Sequence, residues 1–212
     1  MTEVFLYKIP EISDEEFLKL LNAVSLDRRT KVLRLQVKEK QVQSLVAWVL
    51  LSQVLCDQLK LKHNSLRFAQ SDNGKPYLQN CDGVYFNIAH TEGMVAVALS
   101  DKEIGIDVEK IRTRCPSLCE RYFTEAEQRY VFGDAKRFFE VWTRKEAFGK
   151  RSGEGLAKTL KDDRALTDET IKTFVADGFA VSVGYDGGEM QIYDTDYCEK
   201  LLTPIATGVG LW

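Results

Sequence analysis

Two acidic residues, Asp107 and Glu109, stand one residue apart in the run Ile104-Gly-Ile-Asp-Val-Glu-Lys-Ile111. Such alternation reads as a strand whose apolar side chains face one way and whose carboxylates face the other. Like charges side by side on one strand face repel each other. A half-buried strand keeps them where that face is wet or where a positive charge sits between them. Lys110 or Arg112 could supply that charge as ordinary surface partners; a divalent cation would supply it more fully. Further along, Phe138-Phe-Glu-Val-Trp-Thr-Arg-Lys-Glu-Ala-Phe-Gly-Lys150 places Phe138, Trp142, Glu146 and Lys150 at i, i+4 spacing, in one row along a helix. Glu146 and Lys150 read either as a common surface ion pair or, with Asp107 and Glu109, as a third carboxylate and a cation at one site. Three carboxylates from a strand and a helix suit a hard cation such as Mg²⁺, which keeps waters and takes phosphate oxygens as further ligands. Lys75, His90 and Lys150 are the candidates for holding such a phosphate.

Weaker signals surround these. His90 lies in Tyr85-Phe-Asn-Ile-Ala-His-Thr-Glu-Gly93, where a tight turn between strands is expected to expose it. Asn87 is expected to brace that turn through backbone bonds. Gly74-Lys-Pro-Tyr-Leu78 lacks the earlier glycine and the following Ser or Thr of a phosphate-binding loop. No Gly-x-Ser-x-Gly occurs and no cysteine has a histidine partner by motif, so a serine or cysteine hydrolase is unsupported.

The elements that must position these residues follow from pattern. Val4 to Ile9 reads as a strand, and Ser13-Asp-Glu-Glu16 as a capping box opening a helix to about Val24. Ser25 starts a second, basic helical stretch, and Val42, Leu45, Val46, Val49 and Leu50 continue as a long amphipathic helix to about Leu59. Val84 to Ile88, Met94 to Leu99 and Ile104 to Glu109 read as strands. Residues 112–121 read as irregular, Phe138 to Lys150 as a helix, and Phe179 to Tyr185, Met190 to Tyr193 and Ile205 to Leu211 as closing strands. The expectation is an α+β fold of two similar subdomains with antiparallel strands and packed helices, 1–102 and 103–212, meeting near Leu99 to Gly105.

A chain of 212 residues is long enough for this. Its net charge of -3 argues against an extended nucleic-acid surface. No apolar run reads as long enough to span a bilayer, and the start, Met-Thr-Glu-Val-Phe, has no charged region followed by an apolar stretch. Five scattered cysteines read as reduced structural thiols rather than a disulfide framework or a zinc site. A cytoplasmic protein is expected.

Four segments taken in order resemble the 4′-phosphopantetheinyl transferase superfamily, long Sfp-like type: Gly74-Lys75-Pro76, Phe86-Asn87-Ile88-Ala89-His90, Gly105-Ile106-Asp107-Val108-Glu109, and Trp142 to Lys150. The Trp-x-x-Lys-Glu-Ala form is similar to one of its two subgroups. The resemblance implies a pseudo-two-fold α+β chain holding coenzyme A in the cleft between its halves. It implies Mg²⁺-dependent transfer (with Mn²⁺ as the alternative ion) of the phosphopantetheine group to a serine of an apo acyl or peptidyl carrier protein, with release of 3′,5′-ADP. Asp107, Glu109 and Glu146 would hold the metal. Lys150 and His90 would hold CoA phosphates, and Lys75 and Pro76 would line the nucleotide end. Arg28 and Lys31 would reach the 3′-phosphate, with Ser44 and Ala89 also at the nucleotide. Glu146, Lys150 and His90 would serve catalysis. The family commonly has Ser where this chain has Ala89, and a basic residue near Gln43 is missing. Arg112, Arg114, Leu118, Arg121 and Tyr122 are expected to dock the carrier; a plain solvated loop is the other reading. A monomer suffices, since one chain carries both halves. A non-catalytic CoA-binding protein and a Mg²⁺-dependent nuclease share parts of the pattern. Retention of the motif acids and Lys150 argues against the first, and the lack of a broad basic groove against the second.

Overall fold

Residues 1–113, 116–153 and 164–206 are described by the computed structural model of the chain. The first strand, β1 (Thr2–Lys8), is buried along nearly its whole length and lies inside a four-stranded sheet, between residues 94–100 on one side and 190–193 on the other, with 85–91 at the far edge. α1 (Asp14–Asn22) opens on the expected capping box: the Ser13 hydroxyl accepts the Glu16 N–H, and the Glu16 carboxylate accepts the Ser13 N–H at 2.8 Å. Ser25 caps α2 (Leu26–Leu33). α3 (Lys38–Leu59) follows and packs against β4 (Tyr85–Thr91) and β5 (Met94–Ser100). By length and composition α3 could cross a bilayer, which the apolar pattern did not suggest. Its Leu45, Val46, Leu50, Leu51, Val54 and Leu55 are nevertheless buried, so it serves as the core helix of the first half. A short pair, β2 (Phe68–Gln70) and β3 (Pro76–Leu78), forms a second sheet that the periodicity does not reveal. Three residues are too few to display alternation.

β4 and β5 form a hairpin whose link is only Glu92-Gly93. His90 therefore lies within β4, opposite Val95, and not in a turn as expected. β6 (Gly105–Lys110) begins the second half and pairs with β8 (Phe179–Gly184), which pairs with β7 (Ile171–Ala176). The stretch expected to be irregular contains a helix, α4 (Pro116–Tyr122); proline is tolerated in a first helical turn because its missing N–H has no partner there anyway. α5 (Glu125–Val131) and α6 (Ala135–Ser152) follow, and α6 lies across β6 and β8. Gly153, in the left-handed region at φ 70°, closes α6.

The chain then returns. After α7 (Arg164–Thr167) and the β7–β8 hairpin, β9 (Met190–Tyr193) adds to β1 in parallel, and α8 (Thr195–Ala206) packs on β1 and α3. The division at 102/103 thus does not hold for packing from residue 190 onward: this stretch belongs to the first sheet, where it covers an edge of β1 that would otherwise lie open. Residues 205 and 206 are helical rather than strand, and 207–212 lie outside the described residues. The four-stranded sheet and the three-stranded sheet β6-β8-β7 share a core. Val4, Leu6, Ala96 and Ala98 of the former pack with Ile106, Val181 and Val183 of the latter and with Ile104 just before β6. The α+β expectation holds, with one long helix across antiparallel strands in each half.

Candidate active site

Asp107 and Glu109 come to the seam on β6, beside the edge of β4. The Asn87 side-chain oxygen accepts the Ile106 N–H at 3.0 Å, one residue before Asp107. Helix α6 reaches the same place because of a close approach. Gly105 pairs with Gly184 across β6 and β8, and a Cβ on Gly105 would overlap the Ala147 carbonyl oxygen. Only glycine lets the last turns of α6 lie on this sheet, and that contact delivers Glu146 and Lys150 to β6. The Lys150 ammonium donates to Asp107 Oδ1 at 2.7 Å and to the Ile106 carbonyl at 3.2 Å.

The rest of the Trp142–Lys150 motif is scaffold. Trp142 packs with Phe138 and with Tyr122 and Phe123 of the α4 region. Thr143 bonds Ser182 on β8 at 2.7 Å. Arg144 donates to the carbonyls of Ala165, Leu166, Asp168 and Ile171 at 2.8 to 3.1 Å, tying α7 and β7 to the helix. Lys145 is fully buried and pairs with the equally buried Glu127 at 2.8 Å, the residue that completes the capping box of α5. These roles are invisible in the motif itself, since apart from Phe138 the partners named lie outside α6.

The three carboxylates are coupled electrostatically. Burial and then the Asp107 charge and the Glu109 charge raise the Glu146 pKa to about 7, with Lys150 opposing. Burial raises Asp107 also, against the pull of Lys150. Glu109 is raised by burial and by Asp107, while the Thr91 hydroxyl, donating to it at 3.0 Å, pulls it down. Among the described residues no three or more Asp, Glu, His or Cys side chains are already placed to hold a metal ion. Asp107 Oδ2 is nonetheless buried without a hydrogen-bond partner. An orphaned carboxylate oxygen among mutually repelling carboxylates is a donor set that a hard cation would satisfy.

Lys150 also joins this group to a cleft of about 740 Å³. Arg28, Lys31, Ser44, Pro76, Ala89 and His90 line it. Arg28 is the most constrained: its guanidinium lies 4.6 Å from the Trp48 ring centre and donates to Ser44 Oγ at 2.7 Å. Burial lowers its pKa to about 10, leaving it charged near neutral pH. His90 stands on the open wall of the cleft, flanked closely by protein. That crowding first, then Lys150, Lys40 and Arg28, push its pKa down to about 4, so the ring is neutral near pH 7. Lys75 departs from expectation. It pairs with Glu103 at 2.7 Å and lines a separate hollow of about 300 Å³. Trp48, Arg67 and Gln70 line the main cleft and were not anticipated. Trp48 carried a signal, lying one helical turn beyond Ser44, whereas Arg67 and Gln70 are placed by the unrecognised β2 region. Gln43 is buried between Glu39 and Lys40 side chains. Of the expected docking residues, Arg112 and Arg121 are exposed, Leu118 and Tyr122 are half-buried against the α4–α6 cluster, and Arg114 lies outside the described residues.

Comparison with known proteins points to one family. Residues 103–185 match the model of the 4′-phosphopantetheinyl transferase superfamily, and residues 11–102 that of the 4′-phosphopantetheinyl transferase N-terminal region. The chain is 31% identical over 160 residues to the 4′-phosphopantetheinyl transferase ffp of Bacillus subtilis, covering 73% of this chain and 71% of that one. It is 29% identical to Sfp of Bacillus subtilis strain 168 over the same shares. It is 30% identical to HetI of a Nostoc species over 78% of this chain and 75% of that one. The chain belongs to the 4′-phosphopantetheinyl transferase superfamily and is a transferase of that kind.

Proposed function

We propose that the protein moves the 4′-phosphopantetheine group of coenzyme A onto a serine hydroxyl of an apo acyl or peptidyl carrier protein, releasing 3′,5′-ADP, with Mg²⁺ as the required ion. The observation that carries this reading is the junction of a carboxylate group, Asp107, Glu109 and Glu146, with a cationic cleft of about 740 Å³ through Lys150. The named relatives support it. Asp107, Glu109 and Glu146 would hold the ion, which when bound supplies charge neutralisation at the diphosphate.

The remaining chemistry belongs to this chain. Arg28, Lys31 and His90 receive the anionic nucleotide end, and a phosphate beside His90 favours its protonation. Lys150, already within reach of Asp107, turns toward the diphosphate and stabilises charge as the leaving oxygen departs. The serine oxygen forms its bond to the β-phosphorus as the bond from that phosphorus to the bridging oxygen breaks. The serine proton goes to a base. Glu146 is the carboxylate we assign to accept it, directly or through water. Arg112 and Arg121, with Leu118 and Tyr122 beside them, form the docking surface for an acidic carrier. We place the enzyme in the cytoplasm, acting as a monomer.

Mass spectrometry tests the reading. The protein, CoA, Mg²⁺ and a panel of apo carriers are incubated, and a carrier should gain one phosphopantetheine group. If no carrier gains it while CoA still binds, a non-catalytic CoA-binding role replaces this one. Release of nucleotides from DNA or RNA would point instead to a nuclease.

A further inference from the structure

β4 sends successive side chains to opposite faces. Phe86 and Ile88 pack in the α3 core, and His90 faces the cleft. Ala89 lies on the other face, in the core shared by the two sheets. Asn87 and Thr91 flank it there, and each makes one hydrogen bond to β6. Asn87 Oδ1 accepts the Ile106 N–H at 3.0 Å, and Thr91 Oγ1 donates to Glu109 Oε2 at 3.0 Å. Both side chains are buried, 6% and 7% exposed. The two bonds bracket Asp107, one on the residue before it and one two residues after.

We propose that Thr91 is a positioning residue that aims the Glu109 carboxylate into the metal group, with Asn87 holding β6 in register for it. This rests on the reading of the site given above. A glutamate side chain has several rotatable bonds and loses that freedom when it binds an ion. Thr91 is β-branched and stiff at χ1, and it sits on a paired strand, so its hydroxyl has a nearly fixed direction. Its bond to one carboxylate oxygen restrains Glu109 in advance. Groups that orient metal ligands in this way typically contribute about 10–100-fold to metal affinity. The same bond links the strand that carries His90 to the strand that carries Asp107, so the nucleotide wall and the metal wall share one alignment.

The test is Mn²⁺ titration, followed by calorimetry or spin resonance, on the CoA-bound full chain. Thr91→Val keeps the shape and removes the donor; Thr91→Ala is a second variant should the valine disturb folding. Either should weaken Mn²⁺ by about 10–100-fold while CoA affinity measured without metal is unchanged. Thr91→Ser keeps the donor and should stay near wild type. In a Glu109→Gln background, Thr91→Val should add little further loss. Wild-type Mn²⁺ affinity in both Thr91→Val and Thr91→Ala, or an equal loss in the Glu109→Gln background, overturns the inference. A wild-type protein that binds CoA but no Mn²⁺ overturns the underlying reading of the site, and the inference with it.

Discussion

The cationic wall of the cleft and the carboxylate wall that adjoins it at Lys150 hold charge in opposite ways. On the nucleotide side, Arg28 and Lys31 extend from a helix of eight residues, Lys31 is exposed, and its nearest ion pair is a surface contact with Asp27 at 2.9 Å. On the metal side, Asp107 is 6% exposed on a strand whose backbone is fixed by β8, by Asn87 and by the helix lying on Gly105. Lys31 attracts by field, which tolerates displacement and is screened by salt, whereas Arg28 is held by Trp48 and Ser44. The carboxylate wall acts at contact distance, where a fraction of an ångström matters. The cationic wall can therefore vary at Lys31, while the carboxylate wall has little freedom.

Substitutions should separate the walls. The largest effect is expected from Asp107→Asn, which should lower turnover about a thousandfold while the thermal midpoint stays near wild type, because relieving repulsion offsets the lost Lys150 pair. Full turnover in excess Mg²⁺ would sink the metal assignment. Next comes the scaffold beneath that wall. Lys145→Met strands the buried Glu127 charge and should cost about 3–5 kcal/mol of unfolding free energy. Adding Glu127→Gln keeps the α5 cap and should recover most of it; denaturant titration reads both, and no recovery would break the pairing argument. On the cationic wall, Arg28→Ala should weaken CoA binding about tenfold. That deficit should shrink as ionic strength rises, with the rate at saturation little changed. A loss confined to the maximal rate would mean that Arg28 acts on the chemistry instead.

The smallest effect is a pH slope. Glu146, with a pKa near 7, is about half protonated at neutral pH, and an ion requires its charged form. Mg²⁺ affinity should therefore rise with pH from about 6 to about 8 and flatten above. Proton release on binding near pH 7, read from the buffer dependence of the calorimetric heat, should vanish in Glu146→Gln.

Some of this was legible in the chain before any fold was known. Asp107 and Glu109 announce themselves by strand alternation, and Glu146 and Lys150 by helical spacing, because both periodicities are set by the backbone alone. Ser13 with Glu16 marks a helix start for the same local reason. Lys75 was misjudged because its neighbour in the motif, Pro76, does line the cleft, while its own ammonium is captured by Glu103, distant in sequence. His90 was placed in a turn because a hairpin link as short as two residues leaves more of each strand paired than the glycine signal suggests.

What the sequence alone determined were the local identities: which side chains carry charge, which face of an element they share, and where helices begin. Tertiary structure decided their meetings. The return of β9 to β1, the Arg144 carbonyl contacts, the buried Lys145–Glu127 pair and the Thr91–Glu109 bond each join residues from different elements. Such contacts form only once the elements are packed together, and no local periodicity encodes which of them will then lie side by side.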